Sequence, residues 1–274
     1  SMVIGMTIVA MGTSLPECAV SVTAAIAGSN ELAVSNVVGS NIFNLMVVCG
    51  ACTLWTPMAV SQKTLKQELP FSIAMGVILL ILGYSGMAIS RADGLIFLVI
   101  FVCFLMWMVR AAKANPVHPE EEEPKMLPGW KCALYILLGG AAIMWGGDLV
   151  VDSASAIAAN FGLSQNLIGL TIVAMGTSLP ELVTSVVASR KGEVDMALGN
   201  VLGSNVFNIL MVLGAAAAIS PIAFVQENMI DIILLTVMSL IVWVFAWTRR
   251  QVRRSEGIIM LLVYAAYMVY ICMR

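Results

Sequence analysis

The sequence predicts an all-α polytopic membrane protein made of two inverted-topology repeats of five helices, with the first helix of repeat 1 absent from this chain. Three observations lead there. The chain of 274 residues is 60% hydrophobic and only 11% charged, where a soluble domain carries about 25% charged residues. One stretch occurs twice: GMTIVAMGTSLPE at residues 5–17 returns as GLTIVAMGTSLPE at residues 169–181. Basic residues, finally, collect in alternate loops, which sets a direction for every apolar segment.

Taken in order, apolar runs between short polar breaks give nine predicted spans, since each crossing of the hydrocarbon needs ~20 residues. They cover residues 3–27, 32–55, 69–86, 92–112, 130–158, 166–189, 194–219, 228–247 and 257–273. Little chain remains for a soluble domain. If the start of the first span lies on one side and the chain alternates, that side receives Lys63, Lys66, Arg110, Lys113, Lys125, Lys131, Arg190, Lys191, Arg249, Arg250, Arg253 and Arg254. The other side receives Arg91 and Arg274. Positive charge accumulates on the cytoplasmic side, so the first of these is the cytoplasm. The expected location is a multi-pass position in the cell membrane, or the inner membrane of a bacterium, with loop 113–129 cytoplasmic.

The repeat continues past its first motif. Residues 36–44, NVVGSNIFN, answer to 200–208, NVLGSNVFN, and more than half the positions from Ile4 to Gly50 are identical to those from Ile168 to Gly214. Five spans separate the two starts, an odd number, so the copies enter the membrane from opposite sides. That is the inverted-repeat plan of secondary transporters. The expected units are residues 1–112, a cytoplasmic linker 113–129, and residues 130–274. The span at 130–158 precedes the second copy and has no counterpart before the first. By symmetry a helix is expected ahead of Ser1, which reads as an internal position.

The linker holds prolines, His118 and the run Glu120–Glu123, which favours a solvated segment over a packed one. A calcium site on the glutamate run is disfavoured, because hard cations want converging oxygens and this run offers crowded like charges. Cys49 and Cys52 have CxxC spacing but no second pair and no nearby His; they read as packing residues. Asp148 and Asp152 lie near the end of the fifth span, where solvation explains them as well as function does.

The motif carries the chemistry. Pro16 lacks an N–H and collides with the carbonyl of Gly12, so the helix is expected to break there and free backbone carbonyls. In hydrocarbon such breaks persist where they line a cavity or hold an ion. Thr13, Ser14 and Glu17 share one helical face, with the carbonyl of Ala10 one turn earlier; Ser40 and Asn44, with Asn36 extending the stripe, share a face of the next span. The second copy supplies Ala174, Thr177, Ser178, Glu181, Ser204 and Asn208. All are hard oxygen donors, suited to Na⁺, Ca²⁺ and similar ions rather than to soft metals. Glu17 and Glu181 have no Lys or Arg at their depth, so cations or protons must neutralise them. Small residues such as Gly39, Gly50, Gly203 and Gly214 are explained as readily by close helix packing, but packing does not explain an unpaired acid beside a helix-breaking proline, twice.

Two GTSLPE segments, each followed by a GSNxFN segment, resemble the alpha repeats of the sodium/calcium exchanger family, within the cation/calcium antiporter superfamily, over nearly the whole chain. The resemblance implies ten helices in two five-helix halves, with Glu17 and Glu181 bracketing one calcium site. It implies sodium sites nearby that use Ala10, Thr13, Ser14, Ser40, Asn44 and their second-repeat partners. It further implies exchange of three Na⁺ for one Ca²⁺ by alternating access. Some relatives carry Asp where this chain has Asn208, and potassium-dependent relatives carry an extra acid; two Asn here argue against potassium coupling. The alternative coupling is to protons, since a glutamate also carries H⁺.

Other classes fit less well. No HExxH, no GxGD and no Ser with a buried His or Lys is present, so an enzyme is not expected, nor a resident cofactor. A channel would ring its acids from like subunits, whereas one chain supplies both here. The expected partners are Ca²⁺, Na⁺ and the lipid bilayer, without nucleic acid; a monomer suffices for the pathway.

Overall fold

The structure, a computed structural model, describes residues 2–28, 30–114, 128–160, 171–172 and 174–273. The linker residues 115–127, with His118 and the glutamate run, and residues 166–170 and 173 of the predicted sixth span lie outside them. Two helices, α1 (Met2–Thr13) and α2 (Leu15–Ile26), meet at an angle of 48°. Then follow α3 (Leu32–Trp55), α4 (Thr64–Gly86), α5 (Arg91–Ala114) and α6 (Gly129–Asn160). The second copy begins with α7 (Ala174–Thr177) and α8 (Leu179–Arg190). It continues through α9 (Val194–Ile219), α10 (Gln226–Arg249) and α11 (Arg254–Met273).

Among the described residues six helices are long and apolar enough to cross a membrane, and the bent pair α1–α2 makes a seventh. Nine were expected. The fifth expected span is present as α6, a 32-residue helix, of which the described apolar stretch is Gly129–Ile143 and several side chains beyond it lie outside the described set. Asp152 is exposed; the side chain of Asp148 is outside the described set. Of the sixth, the described helices are α7 and α8.

Large apolar side chains cover the outside of the bundle, and polar ones are buried within its apolar core. Leu262, Val99, Ile81 and Leu95 are more than half exposed, whereas Ser14, Glu17, Ser40, Asn41, Asn44, Glu181, Ser204 and Asn208 are fully buried. Apolar side chains outside and polar ones inside is the arrangement that lipid as solvent selects.

Two short antiparallel strand pairs fix the direction of the helices. Strand β1 (Met58–Ala59) pairs with β4 (Gln251–Val252), and β2 (Ala88–Ile89) pairs with β3 (Ile222–Ala223). Helix α4 joins β1 to β2 over 23 residues, roughly 35 Å at 1.5 Å per residue. The two strand pairs therefore sit at opposite ends of the bundle. Helix α3 ends at β1 and its counterpart α9 ends at β3, so these two run in opposite directions. Each pairing also exchanges the repeats: a strand of one copy is always beside a strand of the other.

Helix ends and crossings use glycine at defined points. Gly28 and Gly192, equivalent in the repeat, have φ of +76° and +81°, a left-handed conformation that ends α2 and α8 without a Cβ clash. At Gly203 an added Cβ would lie 2.6 Å from the Met6 backbone, so α1 crosses α9 with backbones nearly touching. Gly50 similarly meets Gly257, and Gly214 meets Gly94. Gly203→Ala is expected to cost about 1–3 kcal/mol through forced displacement of α1. Gly140→Ala, with open space around it, should leave the thermal unfolding of purified protein unchanged.

Other small expectations resolve simply. Cys18, Cys49, Cys52, Cys103 and Cys272 are free thiols, and Cys49 lies buried with its Sγ 3.7 Å from the Met58 sulfur. Helix α4 starts at Thr64, earlier than the expected 69. Its first turns are a wider π-helical segment, Thr64–Glu68, in which Glu68 is buried and pairs with Lys63 at 3.4 Å. The charges at 63, 66 and 68 read as loop in sequence because one of them turns inward.

Candidate cation-binding site

The two breaks have the same backbone. Ser14 sits at φ −87°, ψ 12° and Ser178 at φ −90°, ψ 6°, each followed by Leu-Pro-Glu in the first turn of the next helix. Pro16 removes the donor that the Gly12 carbonyl would meet in an unbroken helix. The carbonyl of Ala10, in contrast to expectation, is not freed: it accepts the Ser14 N–H at 3.0 Å and the Thr13 hydroxyl at 3.3 Å. The bend falls one residue later, at Ser14, so the turn closing on Ala10 survives. Ala174 opens α7 at the equivalent position.

The breaks face each other and exchange partners. The Ser14 hydroxyl donates to Glu181 Oε1 at 2.7 Å, and the Ser178 hydroxyl donates to Glu17 Oε1 at 2.9 Å. Each acid is thus held by a serine of the other repeat. Ser14 and Ser204 hydroxyls lie 2.7 Å apart, and Ser204 also donates to Glu181 Oε1 at 3.2 Å. Asn44 donates its Nδ2 to Ser204 Oγ at 3.0 Å. Glu17, Glu181, Ser14, Ser178, Ser204, Ser40, Asn44 and Asn208 are all fully buried. Ser14, Glu181, Ser204 and Asn44 thus form one hydrogen-bonded group and Ser178 with Glu17 another; Ser204 is fully engaged, while Ser40 Oγ has no hydrogen-bond partner among the described residues.

Asn44 and Asn208 each begin a π-helical segment, Asn44–Val48 and Asn208–Leu213. Such wider turns recur at functional sites, and nothing in the residue pattern announces them.

Thr13 and Thr177 do different work from the serines. The Thr13 hydroxyl reaches Asn200 Oδ1 at 3.2 Å, and Thr177 reaches Asn36 Oδ1 at 3.4 Å. Asn36 Nδ2 donates to the Glu17 carbonyl at 3.3 Å and to Ser21 Oγ at 3.0 Å. Asn200 Nδ2 does the same to the Glu181 carbonyl at 3.5 Å and Ser185 Oγ at 2.9 Å. Each asparagine therefore ties the backbone under one acid to the threonine of the opposite break. Asn36 was visible in the sequence only as part of a polar stripe, and Asn200 only as its repeat partner.

What is unsatisfied is more telling than what is bonded. Among the described residues, the buried side-chain polar atoms without a hydrogen-bond partner are Glu17 Oε2, Glu181 Oε2, Asn44 Oδ1, Asn208 Oδ1, Ser40 Oγ and the two oxygens of Glu68. Apart from Glu68, which has Lys63, every one is an oxygen of the cluster. An unpaired buried polar group costs about 1–3 kcal/mol, and more when charged. No ion pair among the described residues involves Glu17 or Glu181. Buried oxygens left without a donor are what a hard cation can satisfy, and two carboxylates match the charge of one divalent ion.

Comparison with known proteins agrees with this chemistry. The family model described as sodium/calcium exchanger protein matches residues 1–110 and 131–273. The chain is 42% identical to the putative antiporter CaxA of Alkalimonas amylolytica, over 97% of this chain and 86% of that protein. It is 34% identical to the inner membrane protein YrbG of Escherichia coli K12, over 99% of this chain and 86% of the other. The solved sodium-calcium exchanger NCX_Mj superposes with a TM-score of 0.82 at 30% identity, covering 98% of this chain and 86% of that one. The chain belongs to the sodium/calcium exchanger family: it is an integral membrane antiporter and not an enzyme.

Proposed function

We propose that the chain exchanges Na⁺ for Ca²⁺ by alternating access at the site between the two breaks. The observation that carries this reading is the group of unpartnered buried oxygens that includes Glu17 Oε2 and Glu181 Oε2, with no basic side chain among the described residues paired to either acid. One Ca²⁺ brings the two carboxylates from −2 to zero. Asn44 and Asn208 add oxygens without adding charge, so the divalent complex is neutral and hydrocarbon tolerates it. Ser14 with Ser204 on one side, and Ser178 with Ser40 on the other, offer neutral donors where smaller charges can sit. Ala10 and Ala174 extend those two groups through backbone carbonyls.

The opposed directions of α3 and α9 support alternating access. Two equivalent half-sites that face opposite ends of the bundle offer equivalent routes to either side. In the orientation drawn from basic residues, the linker 113–129 is cytoplasmic.

Calcium uptake into proteoliposomes tests the coupling. An imposed Na⁺ gradient is expected to drive saturable ⁴⁵Ca²⁺ uptake, and a pH gradient of equal size is expected to drive little. Uptake that follows the pH gradient and ignores Na⁺ would replace Na⁺ with H⁺ as the coupling ion. Flux that needs no counter-ion would overturn antiport by this site altogether.

A further inference from the structure

The two ends of an asparagine amide are distinguished by what they meet, and four amides at the crossing of α3 and α9 form a chain that can be read from one fixed point. That point is a backbone carbonyl, which only accepts. Asn205 Nδ2 donates to the carbonyl of Asn41 at 3.2 Å, so Asn205 Oδ1 faces the other way. There it accepts Asn44 Nδ2 at 3.3 Å. Asn44 can meet an acceptor only with its nitrogen, which leaves Asn44 Oδ1 on the side of the ion site, buried and unpartnered. The mirror chain starts from the carbonyl of Asn205, which accepts Asn41 Nδ2 at 3.2 Å. Asn41 Oδ1 then accepts Asn208 Nδ2 at 3.1 Å, and Asn208 Oδ1 is left toward the site.

We infer that Asn41 and Asn205 are positioning residues that dictate which end of the Asn208 and Asn44 amides faces the transported cation, each acting on the other repeat. The inference rests on the reading of Asn44 and Asn208 as cation ligands. Its physical content is a sign. An amide reversed by half a turn would aim two N–H donors at a cation, and the other neighbour of the Asn44 amide, the Ser204 hydroxyl 3.0 Å from its Nδ2, can donate as well as accept. A backbone carbonyl has no such freedom, so anchoring each relay there removes the choice. Asn41 and Asn205 are themselves buried to 0% and 2% exposure, out of competition from water. The two relays are also independent. Removing the Asn205 side chain leaves its backbone carbonyl in place to hold Asn41.

The crossed pattern supplies the test, in reconstituted full-length chain, with KM for Ca²⁺ and Vmax measured under a Na⁺ gradient. Partners of this kind around a metal ligand typically carry about 10–100-fold in affinity. Asn205→Leu is expected to raise the Ca²⁺ KM by about 10-fold or more, with a much smaller fall in Vmax. Combined with Asn44→Ala it should add nothing beyond Asn44→Ala alone, because the amide it orients is gone. Combined with Asn208→Ala the two effects should multiply. Asn41→Leu should show the reverse, silent with Asn208→Ala and multiplying with Asn44→Ala. Multiplication in every pair would mean that these asparagines only pack, and would overturn the inference; so would an unchanged KM in Asn205→Leu. If Asn205→Leu does not accumulate, Asn205→Thr replaces it, since its hydroxyl cannot span both partners. An unchanged KM in Asn44→Ala and Asn208→Ala would instead remove these amides from the ion site and sink the ligand reading itself.

Discussion

Glu17→Gln and Glu181→Gln are each expected to abolish calcium flux while leaving folded protein in the membrane. Gln keeps the volume and still accepts the hydroxyl of Ser178 or Ser14, which bond to Oε1 of the native acids. The fold therefore loses little. The ion loses much: with one carboxylate left, a Ca²⁺-loaded site carries a net positive charge inside the bundle. Breaking a buried charge complement costs about 3–5 kcal/mol, which is more than 100-fold in affinity. A second readout separates loss of binding from loss of folding. Ca²⁺ should raise the unfolding temperature of the native protein, because it binds only the folded state. In either Gln variant that shift should disappear. The ion-free variants should also unfold at a temperature no lower than the ion-free native protein, since an unpaired buried acid has been removed. Near-normal flux in either variant would dismantle the two-carboxylate site.

How far the sequence reached depends on the range of the interaction involved. The break and its acid were legible because Gly12, Pro16 and Glu17 act within one turn, and their second appearance excludes coincidence. Polar stripes such as Ser40 and Asn44 were legible through helical spacing. The roles of Asn41 and Asn205 were not, although both stand inside a repeated motif. Their partners lie more than 160 positions away, and the amide orientations depend on how α3 crosses α9. The same reason hid the difference between Thr13, which reaches Asn200, and Ser14, which reaches Glu181. Span limits drifted where charge misled: Lys66 and Glu68 looked like loop, yet the helix runs through them. The two-residue strands had no pattern long enough to see. They nonetheless determine that α3 and α9 run in opposite directions, which the odd number of intervening spans had suggested.

Ser14→Ala and Ser178→Ala are expected to damage Na⁺ dependence far more than Ca²⁺ affinity. The divalent ion answers chiefly to the two carboxylates, which both variants keep. A monovalent ion gains half as much from them and relies more on the neutral donors at either end. On one side those are the Ser14 and Ser204 hydroxyls, 2.7 Å apart; on the other they are Ser178, bonded to Glu17, and Ser40, whose oxygen is unpartnered. Losing a hydrogen-bonding oxygen to a charged group costs about 1.5–3 kcal/mol, or roughly 10–100-fold in half-activating Na⁺ concentration. The Ca²⁺ KM should move several-fold less. Ser178→Ala should be the more severe of the two, because it takes the one serine hydroxyl from Glu17 Oε1, whereas Ser14→Ala leaves Ser204 on Glu181 Oε1. The expected exchange of three Na⁺ for one Ca²⁺ moves one net charge per cycle, worth ~2.3 kcal/mol per 100 mV. An inside-positive diffusion potential should therefore speed Na⁺-driven Ca²⁺ entry into native vesicles and an inside-negative one should slow it, since the net positive charge leaves with Na⁺. In the serine variants that sensitivity should fall if fewer Na⁺ are carried. Equal losses of Na⁺ and Ca²⁺ affinity, or flux indifferent to voltage, would mean that the serines only hold the glutamates and that the neutral donor pairs are not sodium sites.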